Sequence, residues 1–317
     1  MSDLESLVEG ATAGSPMGGH KWVRRSLRQL SRELEECGHQ ASPMTVGRLL
    51  HEEDYSLRVN IKRFTGPPHA DRDRQFQYIE KQKARFLKAG WPVISVDTKK
   101  KELVGNFKND GQSWCRQAEQ VNAHDFRQDA SARAVPYGLY VLNQNRGFVY
   151  VGTSADTPEF AVDAIARWWL SPGQWDFSRA GKLLILCDAG GSNGCRPRLW
   201  KLRLQEELAD RFGLEVTVCH YPSGASKWNP VEHRLFSYIS SNWAGQPLRS
   251  LPIMLALIRG TKTETGLRVQ ARLLPKKYLT KIRVADAEMD DLSLYYHGIC
   301  PKWNYTIKPR SFLRKAS

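Results

Sequence analysis

The sequence predicts an α/β protein, with a mixed sheet flanked by helices and a small helical unit ahead of it. Three observations predict this. Two short apolar, β-branched or Leu-rich runs, Val93–Val96 and Leu183–Cys187, each end at an aspartate. Helical and strand patterns alternate through the second half of the chain. A polar stretch broken by Gly66-Pro67-Pro68 separates these elements from two short helical patterns near the start.

The elements follow in order. Residues 1–20 read as linker, because GATAGSPMGGH is rich in Gly, Ser and Pro. Leu27, Leu30, Leu34 and Cys37 share one face of a first helix, which Gly38 stops. Ser42-Pro43 is an N-cap and first-turn signal for a second helix, with Val46, Leu49 and Leu50 inward and Thr45, Arg48 and His51 outward. Two short helices around a tight turn suit a helix-turn-helix, in which Thr45 and Arg48 are candidate DNA contacts. A charged helix over Asp71–Lys88 carries Phe76, Ile79, Lys83, Phe86 and Leu87 along one side.

Pro92–Val96 is a buried strand ending at Asp97, with Leu103–Phe107 as its expected hairpin partner. Further strands lie near 137–142 and 147–152. Thr157-Pro158-Glu159 opens a helix. Lys182–Cys187 is a strand ending at Asp188, a helix over 196–212 and a strand over 214–219 follow, and Asn229-Pro230 starts a helix running toward Asn242. Three hairpin-type strands followed by alternating helix and strand is the order of an RNase H-like sheet. The resulting division is 1–20 linker, 21–58 helix-turn-helix-like DNA-binding segment, 59–90 connecting helix, 91–260 RNase H-like catalytic domain and 261–317 basic C-terminal extension.

Charge narrows the function. Among 317 residues, Lys and Arg number 47 against 33 Asp and Glu, a net charge of +14. Such a chain suits a polyanion, since Lys and Arg displace the counterions condensed on nucleic acid. This disfavours a small-ligand α/β protein. Six scattered cysteines with no C-x-x-C pair argue against a zinc ribbon or a disulfide framework. The opening MSDLESLVEG is acidic and lacks the apolar stretch of a secretory signal, and no apolar run approaches the ~18 residues of a membrane span. The expectation is a cytoplasmic protein with no membrane partner.

Asp97 and Asp188 are each the first charged residue after an apolar strand, the position that lines the functional crevice of open α/β sheets. On adjacent parallel strands their carboxylates would repel unless a divalent cation sat between them, and carboxylate oxygens suit Mg²⁺ or Mn²⁺. The third acid is Glu232, in the first turn of the helix that Pro230 opens.

The segment Tyr221–His233, which contains Asn229-Pro230-Val231-Glu232-His233, resembles the Asn-Pro-hydrophobic-Glu-His signature of DDE transposases related to the Tc/mariner superfamily. Val96–Phe107, Cys187–Gly194 and Trp303–Ile307 are similar to the insertion-sequence family called Rhodopirellula-type DDE transposases. The resemblance covers nearly the whole chain from about residue 20. It implies an RNase H-like catalytic domain and a catalytic metal triad of Asp97, Asp188 and Glu232 holding two Mg²⁺ or Mn²⁺ ions. It also implies cleavage of double-stranded DNA at element ends with strand transfer into target DNA, by a homo-oligomer in the synaptic complex. Alternatives are a truncated, non-mobile relic that only binds DNA, and an RNase H-like nuclease without strand transfer.

Other residues carry paired readings. Lys99, Lys100 and Lys101 contact phosphate beside Asp97 or form a solvated hairpin. Asn193, in Gly190-Gly191-Ser192-Asn193-Gly194, touches DNA or caps the next helix. That loop matches neither G-x-G-x-x-G nor a Walker A loop. His233 faces DNA or makes a structural hydrogen bond. Trp168, Trp169, Trp175 and Trp200 suit core or interface.

Overall fold

The computed structural model describes residues 2–10, 12–14, 21–23, 25–56, 69–112, 117, 120–122 and 127–310. The Gly66–Pro68 break, Cys115, His124, Arg314 and Lys315 lie outside the described residues. The chain divides into two compact units, Met1–Thr65 and Gly66–Ser317.

The first unit holds α1 (Ser2–Gly10), β1 (Thr12–Gly14), β2 (Lys21–Val23), α2 (Leu27–Glu36) and α3 (Pro43–Glu52). Ser26 starts α2 through a capping box with Gln29. Gly38, at φ +88°, ends it: Gly38 N–H donates to Glu35 O and His39 N–H to Leu34 O, the paired bonds of a Schellman stop. Ser42 caps α3, with Pro43 in its first turn. Leu30, Leu34 and Val46 are buried together with Leu4 and Val8. The expected linker 1–20 is thus corrected. Leu4, Leu7 and Val8 recur at helical spacing and make α1 part of this small core, while β1 and β2 pair antiparallel.

The second unit begins with α4 (Arg72–Lys88), β3 (Val93–Thr98), β4 (Glu102–Val104), β5 (Ala132–Val141) and β6 (Arg146–Gly152). Then come α5 (Pro158–Trp168), α6 (Gln174–Asp176), β7 (Lys182–Asp188), α7 (Arg198–Leu204) and β8 (Glu215–Tyr221). It closes with α8 (Ser237–Asn242), α9 (Leu251–Arg259), β9 (Arg268–Leu274), α10 (Asp286–Asp290), β10 (Leu294–Tyr296) and β11 (Asn304–Ile307). Wider π turns continue α5 and α7, over Trp169–Gly173 and Gln205–Asp210, and a third, Glu232–Phe236, leads into α8.

The sheet runs β10-β11-β8-β7-β3-β5-β6-β9. β3, β5 and β6 form an antiparallel meander, and β7 and β8 add parallel to β3 on its other side. That is the RNase H-like arrangement. Alternate residues serve opposite faces, as strand geometry requires. Leu183, Ile185 and Cys187 meet α5 and α7, whereas Leu184 and Leu186 meet Ile79 and Phe86 of α4. α8 and α9 cover Tyr140, Val149 and Val151.

Three expectations are corrected here. Leu103–Phe107 was the expected partner of β3, yet β4 pairs with β5. β5 is ten residues long and extends past its pairing with β3, which stops at Tyr137, so its free first residues offer β4 an edge. Residues 59–90 were expected to connect, but α4 packs on the sheet through Ile79 and Phe86. Residues 261–317 were expected as an extension. Instead β9 lies parallel beside β6, and β10 and β11 extend the opposite edge beside β8, because Val269, Ala271, Leu274, Tyr305 and Ile307 bury apolar surface there. No helix among the described residues is long and apolar enough to cross a membrane.

Candidate active site

β3 and β7 are parallel neighbours, with Val96 opposite Cys187. Asp97 and Asp188, one residue further on, therefore stand side by side at the same end of the sheet. Both line a recess of about 320 Å³ walled by Ala189–Gly191 and Pro222–Gly224. Asp97 accepts a hydrogen bond from Thr98 N–H at 2.8 Å. Burial, then the charge of Asp188, push its carboxyl up to about 8. Burial also raises Asp188, against a lowering hydrogen bond from Asn229. Glu232 is raised by burial and by Asp188, and is held down by Lys99 and by a hydrogen bond with Asp97. Asp97 and Glu232 thus interact directly, and burial favours the protonated form of each.

The loop carrying Glu232 is tied to the strands by a buried amide. Asn229 Nδ2–H donates to Asp188 Oδ1 at 3.1 Å and to Val96 O at 3.3 Å. Ser95 Oγ–H donates to Asn229 Oδ1 and accepts from Val231 N–H at 2.8 Å. The Asn-Pro pair therefore positions both acids: Asn229 grips β3 and Asp188, and Val231 N–H fixes the residue before Glu232. The π turn that Glu232 opens packs onto the sheet through Phe236, directly over Gly138, which pairs with Asp97.

Behind Asp188 stands a second buried network. His220 Nδ1–H donates to Asp188 O at 3.0 Å, and Tyr305 OH donates to His220 Nε2 at 3.1 Å. Trp200 Nε1–H donates to Tyr305 Oη at 2.9 Å. Burial pushes His220 down to about 4, so the ring is neutral and carries one proton, consistent with these roles.

A divalent cation fits this donor set. Burial raises each of the three carboxyls, and neighbouring negative charge raises Asp97 and Glu232 further, so a cation there would offset both costs. Among the described residues no group of three or more His, Cys, Asp or Glu side chains is gathered as an ion-binding cluster. Metal ligation needs these carboxyls deprotonated, so binding of an ion would be coupled to proton release.

The Rhodopirellula transposase DDE domain family matches residues 3–309. The chain belongs to this family. It is accordingly a transposase, of the polynucleotidyl transferase kind. A comparison with curated proteins gives no match. Among solved structures this DDE transposase is similar to the Mos1 transposase paired-end complex with left transposon end, at 15% identity and TM-score 0.43, covering 79% of this chain and 67% of that one. It is also similar to the Mos1 mariner paired end complex with Mn, at 14% identity and TM-score 0.42 over 79% and 67%. The Mos1 strand transfer complex gives 15% identity and TM-score 0.42 over 80% and 67%.

The remaining sequence candidates of this transposase scatter. Lys99 is committed internally: its Nζ pairs with Glu102 at 2.9 Å and lies 4.7 Å from the centre of the Trp243 ring. Lys100 and Lys101 are exposed. Asn193 does not cap α7, whose N-cap is Pro197 with no side-chain bond. Its amide is buried with neither Nδ2 nor Oδ1 hydrogen-bonded. His233 is exposed and turned away from the acids by its adjacent helical position. In the first unit, Thr45 Oγ1 bonds Ser42 Oγ at 2.9 Å, and Arg48 pairs with Glu52 at 2.7 Å. Trp168, Trp169 and Trp200 are core, while Trp175 is 81% exposed.

Sequence reasoning missed Ser95, Asn229 as a structural amide, His220 and Asp156. Asp156 accepts from Thr98 Oγ1–H at 3.1 Å and adds a fourth negative charge near Asp97. Asn229 had a signal in its motif. The others act on residues distant in sequence, and no local pattern marks them.

Proposed function

We propose that this transposase cuts DNA at element ends and joins the freed end to target DNA, with Asp97, Asp188 and Glu232 holding Mg²⁺ or Mn²⁺. The observation that carries the reading is that Asp97 and Asp188, from adjacent parallel strand ends, line one recess, with Glu232 near enough to interact with both. When bound, two such ions supply activation of water and stabilisation of the leaving oxygen in phosphodiester cleavage. The chain's own residues do the rest. Asn229 holds Asp188 in place, and Ser95 holds the backbone that leads into Glu232. Asp97, Asp188 and Glu232 would hold the ions as carboxylates, so ion binding would release the protons that burial favours. The net charge of +14 suits a double-stranded DNA substrate.

The test is a nicking and joining assay on DNA carrying the element's ends, in Mg²⁺ and in Mn²⁺. Asp97→Asn, Asp188→Asn and Glu232→Gln are each expected to lower cutting on the order of a thousandfold or more while the proteins stay folded. An Asp97→Asn protein that cuts at the native rate would sink the assignment. Cut but never joined products would leave a nuclease without strand transfer.

A further inference from the structure

The recess at Asp97 and Asp188 does not end at the acids. Its Ala189–Gly191 wall and Ser223 also border a second cleft, of about 1180 Å³. One side of this cleft is the glycine-rich loop after β7. The other is the turn joining β10 to β11, which presents Tyr296, Lys302 and Trp303. Arg196 adds exposed positive charge, Lys201 is buried with its Nζ donating to Cys195 O, and Asp71 is the acid in the lining.

Four features define what fits there. The cleft exceeds the ~300–1,000 Å³ of ordinary small-molecule sites, so it suits a chain better than a single small ligand. Its charge balance favours an anion repeated along that chain. Tyr296 is 57% exposed, and Trp303 stands with its ring 4.8 Å from that of His69, so flat aromatic surface lies beside the cations. The turn is built before any ligand arrives: Asn304 Nδ2–H donates to Ile299 O at 2.8 Å, Trp303 N–H donates to Cys300 O, and His220 N–H donates to Trp303 O. Cations for phosphates next to aromatic faces for bases are the chemistry of single-strand recognition, since paired bases keep their faces stacked within the duplex.

We propose that this cleft binds an unpaired stretch of DNA strand leading away from the phosphate at Asp97 and Asp188, held by Lys302 and Arg196 through its phosphates and by Tyr296 and Trp303 through its bases. The proposal rests on the DNA-cutting reading above, but it concerns binding and is tested without catalysis.

The experiment is fluorescence anisotropy with the full-length protein, a labelled single-stranded oligonucleotide and the same sequence as duplex, in EDTA, across a salt series. Tyr296→Ala is expected to weaken single-strand binding about fivefold or more and to leave duplex binding within about twofold. Lys302→Glu is expected to weaken single-strand binding about tenfold and to flatten the logarithmic salt dependence by roughly 0.7 for the lost phosphate contact. Both side chains are exposed, so neither change threatens the core. Trp303→Leu is expected to follow Tyr296→Ala if its thermal melt matches the parent. Single-strand affinity unchanged in both exposed variants would overturn the proposal, as would equal loss on single strand and duplex. An Asp97→Asn protein that still cuts would sink the catalytic assignment alone, whereas unchanged binding in the cleft variants would sink the strand-binding assignment alone.

Discussion

Asn229 shows what one side chain does in this site. Only an amide can donate from Nδ2 to Asp188 and Val96 while accepting at Oδ1 from Ser95. Asn229→Ala leaves a buried hydroxyl and a buried carbonyl without their partner, so stability is expected to fall by about 1–3 kcal/mol. Asp188 also loses the bond that lowers its pKa. Metal-dependent nicking should then fall at least tenfold, and the Mg²⁺ concentration for half-maximal rate should rise. Urea unfolding and a Mg²⁺ titration of nicking check both, and an unchanged Mg²⁺ requirement would show that Asn229 only stabilises. At this scale the sequence was legible where chemistry and position coincide. Asp97 and Asp188 end apolar strands, and the strand pattern locates them. Ser95 and His220 look like ordinary strand residues, because their partners lie on segments that are neighbours only after folding. Lys99 misleads for the same reason: beside Asp97 in sequence it suggests a phosphate contact, but Glu102 and Trp243 hold it.

Two elements bring the remaining pieces together. The first is the π turn Glu232–Phe236, whose Phe236 sits where a Cβ on Gly138 would come within 2.4 Å of its Cε1. Gly138→Ala therefore forces the turn off the sheet and carries Glu232 with it. Overpacking of this kind costs about 1–3 kcal/mol, and nicking should fall by more than that loss of folded protein explains. Adding Phe236→Leu, which frees the space, should restore activity in part; a double variant no better than Gly138→Ala would remove the geometric explanation. The second element is β11, joined to β8 and α7 by Tyr305, His220 and Trp200. His220 sits at about 4 when folded, below the roughly 6.5 of an unfolded histidine. The stability linked to its neutral form is complete above about pH 6.5 and is lost as pH falls toward 4, a change of order 3 kcal/mol. His297 is lowered too and acts in the same direction. Urea unfolding at pH 7 and pH 4.5 should show this loss, and His220→Gln should shrink the difference between the two pH values. Helices with capping signals and strands with apolar runs were legible at this scale. The pairing of β4 with β5 was not, since it depends on how far β5 overshoots β3, a property of two strands rather than of either segment.

For the whole molecule, the decisive fact is that the two compact units have separate cores. The small one gathers Leu4, Val8, Leu30, Leu34 and Val46, and a unit of this size buries too little apolar surface to be more than marginally stable. The large one buries both faces of a long sheet. Such a protein is expected to unfold in two steps, with Met1–Thr65 melting first. A fragment spanning Gly66–Ser317 should then keep only the upper transition, within a few degrees of its place in the full chain, and should retain its circular dichroism. The RNase H-like sheet and its acids lie entirely within that fragment, so metal-dependent nicking of arbitrary DNA should persist in it. If the helix pair α2 and α3 reads element ends, preference for end-containing DNA should vanish from the fragment while nicking remains. Calorimetry and competition between end-containing and random duplexes measure the two effects separately. A fragment that fails to fold would show that the small unit supplies stability to the large one. A fragment that folds and still prefers the ends would move sequence recognition into the catalytic unit.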